Sequence, residues 1–338
     1  MSLRPPVLRR PHPLPDAAPP LGGTATEAGD AVAVDEDAGS SEAVGAGEIV
    51  RSDEAEAVAV GGAVLDRLEI NANGYTFTGR AAGPADGRRV LLLHGFPQTS
   101  WSWRAVLRAL GDAGYRAVAP DQRGYAVGAR PETIEDYALE HLVGDVLALA
   151  DAMEMDSFDL VGHDWGGLLS WILAARHPDR VRSLCVVSTP HPLALREQVE
   201  SASHMEVFRQ TDVPERLLLG ADGSGSGLRA QFAATGLNDV DAEEYLSVLT
   251  QPGALTAALH WYRATLGSDL TDLEPIAVPT LYVWSSGDTA LGRTAAEASA
   301  AHVIGLYQFT VLDGVSHWIP EAAPNELSAL LLGHLAAT

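Results

Sequence analysis

The sequence predicts an α/β fold: a mostly parallel central sheet, helices on both of its faces and an inserted helical cap. Three observations carry this. Short unbroken apolar runs, such as R-V-L-L-L at 89–93, F-D-L-V at 158–161 and S-L-C-V-V at 183–187, alternate with longer amphipathic stretches. That is the pattern of strands buried on both faces and joined by helices. The alternation lapses between about His191 and Asp272, where the chain reads mostly helical, and strands return at P-T-L-Y-V-W-S and Y-Q-F-T-V-L-D. A helical stretch whose two ends re-enter one sheet is a cap. Finally, Val161-Gly162-His163-Asp164-Trp165-Gly166-Gly167 joins an apolar strand to an apolar helix through a turn flanked by small residues.

Taken in chain order, residues 1 to 60 are rich in Ala, Gly, Pro and acidic residues and lack a sustained hydrophobic period. Such a segment cannot offset its ordering entropy, so a disordered tail is expected. From Ala63 the runs V-L-D-R-L-E-I and Y-T-F-T flank Asn73-Gly74, a hairpin signal. R-V-L-L-L-H-G reads as a strand, Trp103 to Ala113 as an amphipathic helix, Y-R-A-V-A-P-D as a strand and His141 to Met153 as a helix. F-D-L-V-G-H-D and V-R-S-L-C-V-V-S-T-P complete the first part of the sheet. The core is therefore expected over 61–190 and 273–338, and the cap over 191–272.

The bulk numbers exclude several classes. A net charge of −23 with no lysine disfavours nucleic acid, since phosphate binding draws on clustered cations. The one cysteine, Cys185, lies in an apolar run and reads as a core thiol, so no disulfide framework is present. No stretch of about 18 apolar residues occurs, so no membrane partner is expected and the reading is of a cytoplasmic, soluble protein. No cofactor and no metal are expected. The partner is a small-molecule substrate, and a homodimer is left open.

The chemistry centres on Asp164. Small residues at Gly162 and Gly166 let the chain turn tightly from strand to helix and push the central side chain out above the sheet. A serine at such an elbow transfers acyl groups. A carboxylate instead displaces a leaving group at saturated carbon and becomes an alkyl ester. The bland alternative is that Asp164 only caps the helix that follows.

Together, H-G-F-P at His94 to Pro97, D-x-R-G-Y at Asp121 to Tyr125 and G-H-D-W-G-G resemble the epoxide hydrolases of the α/β-hydrolase superfamily. W-S-W-R-A-V-L-R-A-L-G-D-A-G-Y-R and H-P-D-R-V-R extend the resemblance, which covers about residues 63 to 338 and omits the tail. It implies an α/β-hydrolase fold and the opening of an epoxide to a vicinal diol through an Asp164 ester. His317, in D-G-V-S-H-W-I-P-E, takes the place of the general base, following the last strand in the fold's chain order of nucleophile, acid, base. Asp288 in W-S-S-G-D-T is the acid that would orient it. The resemblance places the oxyanion hole at the backbone N–H groups of Phe96 and Trp165. It gives Asp121 and Arg123 a loop-stabilising role.

Tyr262, in A-L-H-W-Y-R-A, matches the family's second ring-opening tyrosine. The first is missing. Counting back about ten residues from Pro214-Glu215 lands on His204, a side chain that can also donate a proton. Tyr262 acting alone is the competing reading. A haloalkane or haloacid dehalogenase with the same nucleophile is the enzymatic alternative, and a catalytically silent binding protein on this fold is the third. Against the dehalogenases, Phe96 stands where an Asn halide ligand is frequent, and Trp165 where fluoroacetate-type enzymes carry Arg.

Overall fold

The computed structural model describes residues 49–51, 63–196, 203–265 and 270–338. In chain order, β1 (Ile49–Arg51), β2 (Asp66–Ala72), β3 (Tyr75–Ala82) and β4 (Arg89–Leu93) precede α1 (Arg104–Asp112). Then come β5 (Arg116–Pro120), α2 (Leu139–Ala152), β6 (Phe158–His163), α3 (Trp165–Arg176) and β7 (Val181–Val187). Among the described residues six α-helices follow: α4 (Pro192–Arg196), α5 (Ser203–Phe208), α6 (Val213–Leu219), α7 (Ser226–Ala234), α8 (Asp239–Leu249) and α9 (Ala254–Ala264). The chain closes with β8 (Thr280–Ser285), α10 (Arg293–Ala298), β9 (Tyr307–Leu312), α11 (Ile319–Ala322) and α12 (Pro324–Ala337).

Among the described residues the strands form one nine-stranded sheet in the order β1-β2-β3-β5-β4-β6-β7-β8-β9. β1 to β3 pair antiparallel, as do β3 and β5, and every pair from β5 to β9 is parallel. The β2–β3 turn has φ 50° at Asn73 and 80° at Gly74, the positive values a two-residue hairpin of this hand requires. β1 corrects the expectation for residues 1 to 60. Ile49 to Arg51 pair with Ile70 to Leu68, because β2 would otherwise present an unpaired row of N–H and C=O groups. The rest of that expected tail lies outside the described residues.

The parallel strands bury both faces, and their alternation assigns side chains to two apolar clusters. Leu91, Leu160, Leu184 and Tyr282 pack in one with α2 and α3. Val90, Val161, Cys185 and Leu281 pack in the other with α1 and α12. A one-residue slip would exchange the two sets, so register is strongly specified.

The helices between β7 and β8 are fastened to the sheet domain by polar contacts. Trp101 Nε1 and Arg104 Nη2 both donate to Asp241 Oδ1 at 2.7 Å, and Trp261 Nε1 donates to the Arg123 carbonyl at 2.9 Å. Trp318 Nε1 donates to Thr235 Oγ1 at 2.9 Å. Beneath them, Arg123 grips Asp145 through two bonds of 2.6 and 2.7 Å and also donates to the Asp136 carbonyl. Both side chains are buried. Removing one partner would strand the other's charge, so Arg123→Ala is expected to cost about 3–5 kcal/mol. The melting temperature should fall on the order of 10 °C, which calorimetry would measure. No helix of the described residues is long and apolar enough to cross a membrane.

Candidate active site

Asp164 stands in the turn between β6 and α3 with φ 51° and ψ −118°, a conformation that costs a non-glycine residue on the order of 1–3 kcal/mol. Close packing holds it there. A Cβ on Gly162 would come within 2.2 Å of the Gly166 carbonyl oxygen, and one on Gly166 within 2.2 Å of that of Leu93. Only glycine lets α3 and the β4 loop approach this nearly. The Asp164 side chain does not bond back to cap α3, so the capping alternative fails. Its Oδ1 instead accepts from Phe96 N–H at 2.8 Å. Trp165 follows Asp164 as the first residue of α3.

His317, on the loop after β9, places Nε2 3.6 Å from Asp164 Oδ2 and Nδ1 2.8 Å from Asp288 Oδ2. The other Asp288 oxygen accepts from the N–H groups of Ala290 and Leu291 at 2.8 and 2.9 Å. Asp288 is thus held as an acceptor, and Nδ1 of His317 must carry a proton. Burial lowers the His317 pKa, but Asp288 and Asp164 outweigh it and raise it to about 10. Asp164 shows the reverse balance: burial raises its pKa, while the hydrogen bond and charge of His317, with smaller help from His163 and Phe96 N–H, leave it below the ordinary carboxylate value. At neutral pH the pair is therefore a carboxylate facing an imidazolium.

Tyr262, 6% exposed on α9, meets Phe96, Trp165 and Phe208 edge-on at ring-centroid distances of 5.2, 4.9 and 5.1 Å. Burial, then the charge of Asp164, raises its pKa well above 10, so it remains a protonated donor. His204 lies on α5 one turn before Phe208, and α5 packs against α9. Its side chain lies outside the described residues. Asp121 and Arg123 serve the loops: Asp121 accepts from Ser100 N–H and Thr78 Oγ1, both at 2.7 Å. Among the described residues no cluster of His, Cys, Asp or Glu could hold a metal ion.

The structure brings Asp164, His317, Asp288, Tyr262 and the amide of Phe96 to one place, at the carboxyl ends of the parallel strands. It also reveals a layer that the sequence reading missed. Behind His317, the ring of His163 bonds to Gln98 and to the His317 carbonyl, and Gln98 bonds to Glu321. These residues lie inside or next to the H-G-F-P, G-H-D-W and H-W-I-P-E motifs, and that adjacency was the available signal.

Residues 88–324 match the family model of the alpha/beta hydrolase fold. An AB hydrolase superfamily protein of Bacillus subtilis is 34% identical over 79% of this chain and 96% of its own length. Epoxide hydrolase A of Mycobacterium tuberculosis is 30% identical over 81% of this chain and 98% of its own. The crystal structure of epoxide hydrolase A from Mycobacterium thermoresistibile superimposes with a TM-score of 0.71 at 28% identity, covering 80% of this chain and 98% of the other.

Proposed function

We propose, from the premise that this chain belongs to the alpha/beta hydrolase fold family and is an epoxide-hydrolase-like hydrolase, that it opens epoxides to vicinal diols through an ester on Asp164. The observation that carries this reading is the asymmetric environment of the Asp164 carboxylate. Oδ1 is held by Phe96 N–H and Oδ2 faces His317, while α9, one of the helices between β7 and β8 that we take as the cap, brings Tyr262 against Phe96 and Trp165.

Oδ2 is then the attacking atom. It forms a bond to one epoxide carbon as the carbon–oxygen bond breaks, and the emerging alkoxide takes the proton of Tyr262. Esterification removes the Asp164 charge. His317 loses one of the two carboxylates that raise its pKa, and its Nε2 proton can pass to the Tyr262 phenolate. The freed imidazole takes a proton from water while the hydroxide adds to the ester carbon. Charge accumulates on Oδ1, where the N–H groups of Phe96 and Trp165 receive it. Collapse expels the diol with the carboxyl's proton and restores Asp164, His317 and Tyr262 to their starting states.

The cap donor separates this reading from a dehalogenase, since a departing alkoxide needs a proton and a halide does not. A panel of epoxides and haloalkanes, assayed in parallel for diol and free halide, tests it. Diol without halide is expected, and halide without diol would sink it.

A further inference from the structure

The hydrogen bonds behind His317 do not balance when donors and acceptors are counted. His163 is buried, and its Nε2 lies 3.0 Å from the His317 carbonyl oxygen, which can only accept. Nε2 must therefore carry hydrogen. Its Nδ1 lies 2.8 Å from Gln98 Oε1, another atom that can only accept. With the amide in that orientation His163 would be an imidazolium, with its ring centroid 4.8 Å from that of His317, already a cation between two carboxylates. Two adjacent buried cations are disfavoured by burial and by mutual repulsion. Those two causes push the His163 pKa down to about 3.

A half-turn of the Gln98 amide removes the conflict. Its NH₂ then donates to the bare Nδ1 of a neutral His163, and its oxygen faces Glu321 Oε1 across the 2.6 Å contact. Two oxygens at that distance need a hydrogen between them, so Glu321 must be a carboxylic acid. What is forfeited is the long 3.3 Å bond from Gly95 N–H to Gln98. A second observation agrees. Glu321 Oε1 also accepts from Tyr245 OH, while Oε2 has no hydrogen-bond partner among the described residues. A neutral acid tolerates a buried unpaired oxygen better than a carboxylate does.

We infer that Glu321 holds a proton that fixes the Gln98 amide and the His163 tautomer, and thereby anchors the His317 backbone. Glu321 is a positioning residue one layer behind the proposed base. If its proton leaves, Gln98 must turn its NH₂ back to the carboxylate. Neutral His163 can then satisfy Gln98 or the His317 carbonyl, but not both. The groups facing Glu321 are Tyr245 and Asp241 on α8, Arg104 on α1 and Gln98 on the β4 loop. Burial is the largest influence on its acidity; Tyr245 opposes it, as does Gln98 while its NH₂ faces the carboxylate, Asp241 adds to it and Arg104 opposes it, and with the amide so turned the result is about 7. Because this lies above the ordinary 4.5, and the turned amide accepting from the acid favours the proton further, the anchored arrangement is complete below 4.5 and is lost only as pH rises past about 7.

Side-chain ¹⁵N NMR of the full-length protein, titrated across that range, tests the assignment without substrate. Wild-type His163 should show a bare Nδ1 and a protonated Nε2 in acid, and its tautomer should change as Glu321 ionises. Glu321→Gln, whose NH₂ donates to Gln98 as the acid does, should hold the acid-side tautomer throughout. An imidazolium at neutral pH, or a wild-type tautomer that never changes, would overturn the inference. Should the variant fail to fold, the wild-type titration still decides. Only the effect on rate rests on the reading of His317 as base: ester hydrolysis should slow several-fold across the same range in wild type and not in Glu321→Gln. An absence of epoxide turnover would leave the NMR result standing.

Discussion

Replacing His317 with glutamine is expected to arrest the enzyme after a single alkylation. Asp164 keeps its bond from Phe96 N–H and can still attack. Glutamine cannot take a proton from water, so the ester persists. Steady-state diol formation should fall by about 10⁴-fold or more, as is usual when one member of such a cooperating set is lost. Intact-protein mass spectrometry after incubation with an epoxide turned over by wild type should show a gain of one substrate mass. An unshifted mass would reject the ester mechanism while leaving the fold assignment untouched.

The second large effect concerns the other half-reaction. Tyr262→Phe keeps the aromatic packing against Phe96, Trp165 and Phe208 and removes the hydroxyl, and with it the proton and the oxygen that bonds the Trp165 side chain. Ester formation should slow by roughly ten- to a thousandfold, the range for a positioned general acid, while an ester already formed hydrolyses at the wild-type rate. Single-turnover measurements separate the two steps. Applied to His204→Ala, they also decide whether that histidine shares the role. Alkylation at the wild-type rate would make His204 a packing residue, and slowing like that of Tyr262→Phe would give the cap two donors.

Much of this was legible in the sequence, for physical reasons that differ by element. The parallel strands were visible because burial on both faces leaves unbroken apolar runs, as at Arg89 to Leu93. Asp164 was visible because only glycines permit its turn. The Asn73-Gly74 hairpin was visible because both residues must adopt positive φ. β1 escaped because three residues are too few for a period, and their order comes from β2 rather than from themselves. The Gln98–His163–Glu321 layer escaped because its members lie 65 and 223 residues from Gln98 in the chain, and hydrogen-bond partnership has no local pattern. Phe208 escaped for the same reason: its place beside Tyr262 is set by how α5 and α9 pack.

Cys185 sits in the middle of the sheet, its side chain sealed in the cluster with α1 and α12, and burial pushes its thiol far above the ordinary value. A sealed thiol of that kind is closed to maleimides and oxidants in the folded protein. A reporter cysteine placed at a chosen surface position on the cap could therefore be labelled selectively, with the native residue left in place. Distance measurements that pair such a label with a second one on the sheet then need no cysteine-free background.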